Sequence, residues 1–354
     1  MLKSFKKLWL RGVKQLGNVQ KTTTRKLIKN LLAPPKPARV ARKPVAAKAA
    51  ALPAWSRATL STPGKRMEYW LYRPSVLIEQ GTPLVVMLHG CDQTALEFAH
   101  GTRMNQLAEQ KGFGVLYPQQ SARAQRNRCW PWYRKEIQQG EGEVKSIAAI
   151  IAQVLAQHPF DPSRVYLGGM SAGAAMAQIV ALRHPQMIAA VGLHSGPVFG
   201  AATSSVGGYG VMQLGSLAMA ATAMRQFTEA SGERFPPMPA ILIQGQHDAV
   251  VRPVNLHQLE QQFCELNGLT SANRQPATFR PAGRSAHAAH AFDTRDYRVG
   301  RKVMLRVCEI SRLSHAWSGG DPGYRFNERK GPDASRMMCA FFQHHRRLPI
   351  APTP

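Results

Sequence analysis

Short apolar runs, each closed by glycine, proline or a polar turn, alternate along the chain with stretches free of helix breakers. "PLVVMLHG" (83–90), "GFGVLYP" (112–118), "RVYLGG" (164–169), "IAAVGLHSG" (188–196) and "PAILIQGQHD" (239–248) have strand length and no polar alternation, as in strands covered on both faces. "MEYWLYRP", ending at Pro74, reads as an earlier strand, and "RKVMLRVCEIS" (301–311) as the last. Between them, 94–110, 143–157, 172–184 and 253–267 read as helices, with Glu143 favourably placed in a first turn. Such alternation predicts an α/β fold: a mostly parallel central sheet flanked by helices on both faces. It predicts one domain over 54–348. Residues 199–236, rich in Gly, Ala and Met, break the rhythm and read as a flexible excursion over the strand ends.

In an open α/β sheet, ligands bind beyond the carboxyl ends of the strands. The residues that follow these runs therefore matter most. Gly169-Met170-Ser171-Ala172-Gly173 is G-x-S-x-G between a strand run and a helical run, where glycine permits a sharp turn that presents the serine. The plainer alternative is a glycine-rich turn that happens to hold a serine. His89-Gly90-Cys91-Asp92 follows the 84–88 run, Asp248 the 240–244 run, and His315 the last strand. Ser171, Asp248, His315 is the chain order of the α/β-hydrolase triad. Serine needs a neighbouring base; His315 is placed to take its proton, and Asp248 to hold the imidazole tautomer. The backbone N–H groups of Ala172 and Cys91 are the candidate oxyanion donors. His247, His287 and His290 read as surface histidines.

The 354 residues carry a net charge of +26, unevenly spread. Ten lysines and four arginines lie in residues 1–48, and no acidic residue precedes Glu68. Leu2, Phe5, Trp9, Val13 and Leu16 share one helical face, with lysines and arginine filling most of the rest. A Pro-, Ala- and Lys/Arg-rich linker ends near Pro53. Residues 1–53 thus read as a basic amphipathic arm and linker, expected to be disordered in part. Its candidate roles are a solubilising tail, an anchor through residues 1–32 to an anionic membrane or granule surface, or nucleic-acid contact. No zinc pattern, RNP motif or recognition-helix signature supports the last, so a nucleic-acid partner is not expected. No run reaches the roughly 20 apolar residues of a membrane span, and Leu8-Trp9-Leu10 is too short for the core of a standard signal peptide. The five cysteines show no C-x-x-C spacing, so no structural metal and no cofactor are expected, and the oligomeric state stays open.

The chain resembles the polyhydroxybutyrate depolymerase-type esterases of the α/β-hydrolase superfamily. The resemblance rests on "VVMLHGCDQTA" (85–95), "YPQQ…RCWPWY" (117–133), "GEVKSIAAII" (142–151), "FDPSRVYLGGMSAGAAMA" (160–177), "GQHDAVV" (245–251), "DYRVGRKVMLRVCEISRLSHAWSGG" (296–320) and "GPDASRMMCAFF" (331–342), in order over roughly 65–345. It implies an α/β-hydrolase fold, hydrolysis of carboxylic esters, short-chain polyhydroxyalkanoates or their oligomers as substrates, and an extracellular setting. It assigns the triad to Ser171, Asp248 and His315, and places Cys91 in the oxyanion segment. It implies that Cys91 and Cys129 approach each other, as a disulfide where the compartment oxidises. Trp130 and Trp132, with His89 and Trp317, are expected to line the acyl or polymer path; for the two tryptophans of the 130s, packing under a loop is the alternative. Because no separate substrate-binding module is read after the last helix, soluble oligomers or small esters are favoured over crystalline polymer. An acetyl-xylan, feruloyl or general short-chain esterase is the enzymatic alternative. A protein coating a granule or membrane, with a cytoplasmic, surface-associated location, is the non-enzymatic one.

Overall fold

In a computed structural model the apolar runs become the middle of one sheet. The structure describes residues 54–62, 65–75, 81–217, 220–231, 235–284 and 289–347; the basic arm 1–53 and His287 lie outside them. In chain order the elements are β1 (Ala54–Thr62), β2 (Lys65–Arg73), β3 (Thr82–Leu88), α1 (Ala95–Thr102), α2 (Met104–Lys111), β4 (Gly114–Gln119), the short α3 (Lys135–Gln138), α4 (Glu143–Gln157), β5 (Phe160–Met170), α5 (Ala172–Arg183), β6 (Ala190–His194), α6 (Ser205–Leu214), α7 (Ala220–Ala230), β7 (Ala240–Gly245), α8 (Val254–Asn267), β8 (Thr278–Arg280), β9 (Phe292–Val299), β10 (Lys302–Ile310), β11 (Trp317–Ser318), β12 (Asn327–Glu328) and α9 (Ala334–Phe342).

The ten-stranded sheet runs β1-β2-β4-β3-β5-β6-β7-β10-β9-β8. The stretch from β4 to β10 is parallel throughout; antiparallel β1–β2 flanks one end and β9–β8 the other. Successive side chains of a strand face opposite ways, and the core divides accordingly. Leu84, Val86, Leu88, Leu167, Leu193 and Leu242 pack under α4, α5 and α8. Val85, Met87, Tyr166, Ile241 and Ile243 pack under α1, α2 and α9. The α4 helix shows why these segments fold as they do: Val144, Ile147, Ile151 and Val154 recur at helical spacing and are fully buried. Each such side chain contributes about 1.5–3 kcal/mol of burial.

Two expectations change. The single helix read over 94–110 is two. Thr94 and Glu97 cap the start of α1 reciprocally, but Arg103 turns left-handed at φ 55° and ends it. Gly101 just before it is closely packed: a Cβ there would meet the Asn327 amide, and its carbonyl accepts from Asp321 N–H at 2.7 Å. The excursion at 199–236 contains two helices, α6 and α7. Gln213 of α6 donates to the carbonyls of Ala249 and Val250 (3.1 and 3.0 Å), tying that helix to the loop after β7. No helix among the described residues is long and apolar enough to cross a membrane.

Candidate active site

The chain leaves β5 at Met170 and starts α5 at Ala172, so one residue, Ser171, makes the whole turn. Its backbone has φ 56° and ψ −124°, a left-handed conformation that costs a non-glycine residue roughly 1–3 kcal/mol. The surroundings enforce it. A Cβ on Gly173 would sit 2.5 Å from the His89 carbonyl oxygen and 2.6 Å from the Leu88 carbonyl carbon. Only a bare α-carbon lets α5 approach the end of β3 so closely. Ser171 N–H donates to His194 O at 2.9 Å, fastening the turn to β6. The serine is buried to 6 % exposure.

The loop after β3 lies beside it: a Cβ on Gly90 would be 3.6 Å from the Ser171 Cβ. Gly90 N–H donates to Gln93 Oε1 at 2.9 Å, and Trp130 Nε1 donates to His89 O at 2.9 Å. Asp92 N–H donates to Asn127 O at 2.7 Å, and Cys91 is disulfide-bonded to Cys129. The loop that carries the Cys91 N–H is therefore pinned on both sides. Ala172 opens α5, where the first N–H groups have no partner inside the helix.

At the next strand ends, His315 Nδ1 donates to Asp248 Oδ2 at 2.8 Å. Asp248 Oδ1 accepts from the N–H groups of Val250 and Val251, both at 2.9 Å. Gln244 Nε2 donates to Oδ2 at 2.9 Å. Burial pushes the Asp248 carboxyl up, but the bonds from His315, Val251 and Ser195 outweigh it and hold the acid below its ordinary range. It is an ionised, fully bonded carboxylate in the interior. His247, one residue away, is exposed.

The family model described as Esterase PHB depolymerase matches residues 67–285. The chain belongs to the PHB depolymerase esterase family. It is 34% identical over 193 residues to poly(3-hydroxyalkanoate) depolymerase C of Paucimonas lemoignei, covering 53% of this chain and 45% of that protein. It is 24% identical over 253 residues to poly(3-hydroxybutyrate) depolymerase of Ralstonia pickettii, covering 69% of this chain and 50% of that one. The chain thus spans about half the length of the curated relatives it matches. An acetyl xylan esterase from Aspergillus awamori superposes with a TM-score of 0.64 over 82% of this chain and 99% of that one, at 19% identity. That likeness shows the α/β-hydrolase fold.

Within this esterase-family fold, the expectation that His89, Trp130 and Trp317 line the substrate path is not met: all three are fully buried. His89 Nε2 accepts from Gln120 N–H at 3.1 Å, and its Nδ1 lies 2.8 Å from Gly90 O. Trp130 supports the same loop, and Trp317 donates to Ser335 Oγ at 3.1 Å while stacking on His194. Trp132 is 6 % exposed and packs edge-on against Tyr133. The site also uses Gln244, Ser195, His194 and Gln93, which the sequence reading passed over. The signal was there for one of them, since Gln244 is the lone polar residue in the buried run "AILIQ".

The buried imidazoles set an acid limit on the fold. Burial pushes His89 down to about 4 and His194 to about 3, so both are neutral when folded. Their folded values lie below the ordinary histidine value, so the unfolded chain takes up protons first and stability falls as pH drops through about 6.5. The loss is about 2 kcal/mol for each by pH 5. Depressed carboxylates such as Asp248 add their loss only at lower pH. The urea midpoint is therefore expected to fall clearly between pH 7 and pH 5, and less in His194→Gln. An unchanged midpoint over that interval would contradict the neutral, buried assignment.

Proposed function

We propose that the chain is a serine carboxylic-ester hydrolase in which Ser171, His315 and Asp248 form the catalytic triad. The reading rests above all on the strained turn at Ser171, found on the same sheet edge as the 2.8 Å Asp248–His315 bond. Ser171 Oγ attacks the ester carbonyl while His315 Nε2 takes its proton. The Cys91 and Ala172 N–H groups receive the oxyanion. His315 returns the proton to the leaving alcohol, and water, activated by the same base, releases the acid from the acyl-serine. Asp248 holds Nδ1 protonated throughout and stabilises the imidazolium. No metal or cofactor is needed for these steps.

The favoured substrates are short-chain hydroxyalkanoate esters, as oligomers or polymer. The family match and the names of the two bacterial relatives support this class. The Cys91–Cys129 bond supports work in an oxidising, extracellular setting. For residues 1–32, contact with an anionic membrane or granule surface is proposed from the sequence pattern alone. A panel of 3-hydroxybutyrate dimers and trimers, p-nitrophenyl esters, feruloyl esters and acetylated xylan tests the substrate class. Hydroxybutyrate oligomers are expected to exceed the plant-wall esters by about tenfold or more in kcat/KM. The reverse order would make this an acetyl-xylan or feruloyl esterase, and no turnover on any ester would favour the coating-protein reading.

A further inference from the structure

An aliphatic strand has little reason to bury an amide. Gln244 is 1 % exposed in β7, whose other residues are Ala, Ile, Leu, Ile and Gly. An unbonded amide there would be costly. Its nitrogen instead spends both hydrogens, one on Asp248 Oδ2 at 2.9 Å and one on Val251 O at 2.8 Å. Both partners are acceptors, so the nitrogen must face them, and the orientation of the amide follows. One side chain thereby ties the rigid strand to the carboxylate and to the turn that carries it. Oδ2 is also the atom that receives His315 Nδ1.

A second contact comes from Ser195, the residue just after β6. Ser195 is fully buried with φ 50°, and its N–H donates to Ile243 O at 2.9 Å. Its Oγ is 3.1 Å from His194 Nδ1, and His194 Nε2 accepts from Ser318 N–H at 3.3 Å. With Nε2 accepting, the imidazole proton sits on Nδ1 and points to Ser195 Oγ. The hydroxyl hydrogen is then free for the Asp248 carboxylate, with which Ser195 interacts.

We propose that Gln244, backed by Ser195, is a positioning residue that holds the Asp248 carboxylate toward His315 and sets how much of its charge the imidazole feels. The proposal rests on the triad reading above. A carboxylate that shares its charge among several donors pulls less strongly on the His315 proton. Removing one donor favours imidazolium, so more alkaline solution is needed to free the base. It also loosens the carboxylate, lowering the share of reactive geometries. Gln244 is buried away from solvent, so substrate binding should not change. Among the described residues, His194 interacts electrostatically with both Asp248 and His315, and the Arg325 guanidinium stacks 5.0 Å over Phe326, itself edge-on to His315.

The test is the pH profile of kcat and KM on a soluble p-nitrophenyl ester for Gln244→Met, with Ser171→Ala alongside. Gln244→Met is expected to lower kcat about 10- to 100-fold with KM within about twofold, and to move the acid limb up by about half a pH unit or more. A folded Gln244→Met with the parent kcat and the parent limb overturns the proposal. If Gln244→Met fails to fold, Ser195→Gly decides, since it removes the hydroxyl while suiting the positive φ, and an unmoved limb there overturns the proposal. Activity retained in Ser171→Ala would instead overturn the triad reading itself.

Discussion

Ser171→Ala is expected to fold as the parent does and to lose ester hydrolysis by roughly 10⁴- to 10⁶-fold, the scale seen when a triad nucleophile is removed. The substitution deletes one oxygen and keeps the Cβ. Alanine tolerates φ 56° no better and no worse than serine, so the strain at the turn is unchanged. The N–H bond to His194 O is a backbone bond and persists. Melting temperature should therefore stay close to the parent's while turnover of a p-nitrophenyl ester disappears and labelling by a serine-directed phosphonate stops. Ser171→Gly should go further on one axis only: equally inactive, and more stable, because glycine relieves the positive φ. More than about one per cent residual turnover in folded Ser171→Ala would remove the serine from the chemistry.

Gly173→Ala is expected to be severely destabilising. The added carbon would press on the Leu88 and His89 carbonyl groups, both main-chain groups at the end of a central strand. Neither can move aside as a flexible side chain could. Helix α5 would have to lift from β3, undoing burial along a helix in which residues from Ala172 to Leu182 are all buried. The cost exceeds about 4 kcal/mol, enough to leave most domains of ordinary stability largely unfolded. Gly210→Ala is the matched control. It lies in α6 with nothing within 4 Å of the new carbon and no positive φ, so it should stabilise by about 0.5–1 kcal/mol. Soluble yield and urea midpoints separate the two; similar behaviour would mean that the packing of α5 on β3 is looser than described.

These residues also show what the sequence makes legible. The parallel strands were readable because burial on both faces leaves unbroken runs such as "VVML", and burial is what the structure finds there. Ser171, Asp248 and His315 could be proposed from the sequence because each follows a segment that reads as a strand. Of the outer strands, β2 was read from "MEYWLYRP", but β1, β8 and β9 were not readable by the same logic. Strand β9, "FDTRDYRV", is half-buried along most of its length and looks like a polar loop. The break between α1 and α2 escaped because Arg103 adopts a left-handed conformation with no glycine to announce it. His89, Trp130 and Trp317 were misplaced for a related reason. A motif says that an aromatic ring is near a site, but not whether it faces the substrate or props up the loop behind it. That depends on hydrogen bonds such as Trp130 Nε1 to His89 O, made across 41 residues of chain.

The order of strands in the sheet has a kinetic consequence. The serine turn, the loop at Gly90, the Asp248 turn and the His315 loop hang from β5, β3, β7 and β10, with β6 wedged between. Their contacts join positions far apart in the chain, 67 residues in the case of Asp248 and His315. Loop closure over such distances is slow and rewards the chain only when both strands are in register. On the proposed triad, the Ser171 turn is synthesised long before His315, so a nascent or clipped chain lacking β10 and the loop after it is expected to be inactive. Turnover regained after dilution from denaturant would thus time the docking of β10, the last parallel strand to be made, and not the earlier collapse of the core.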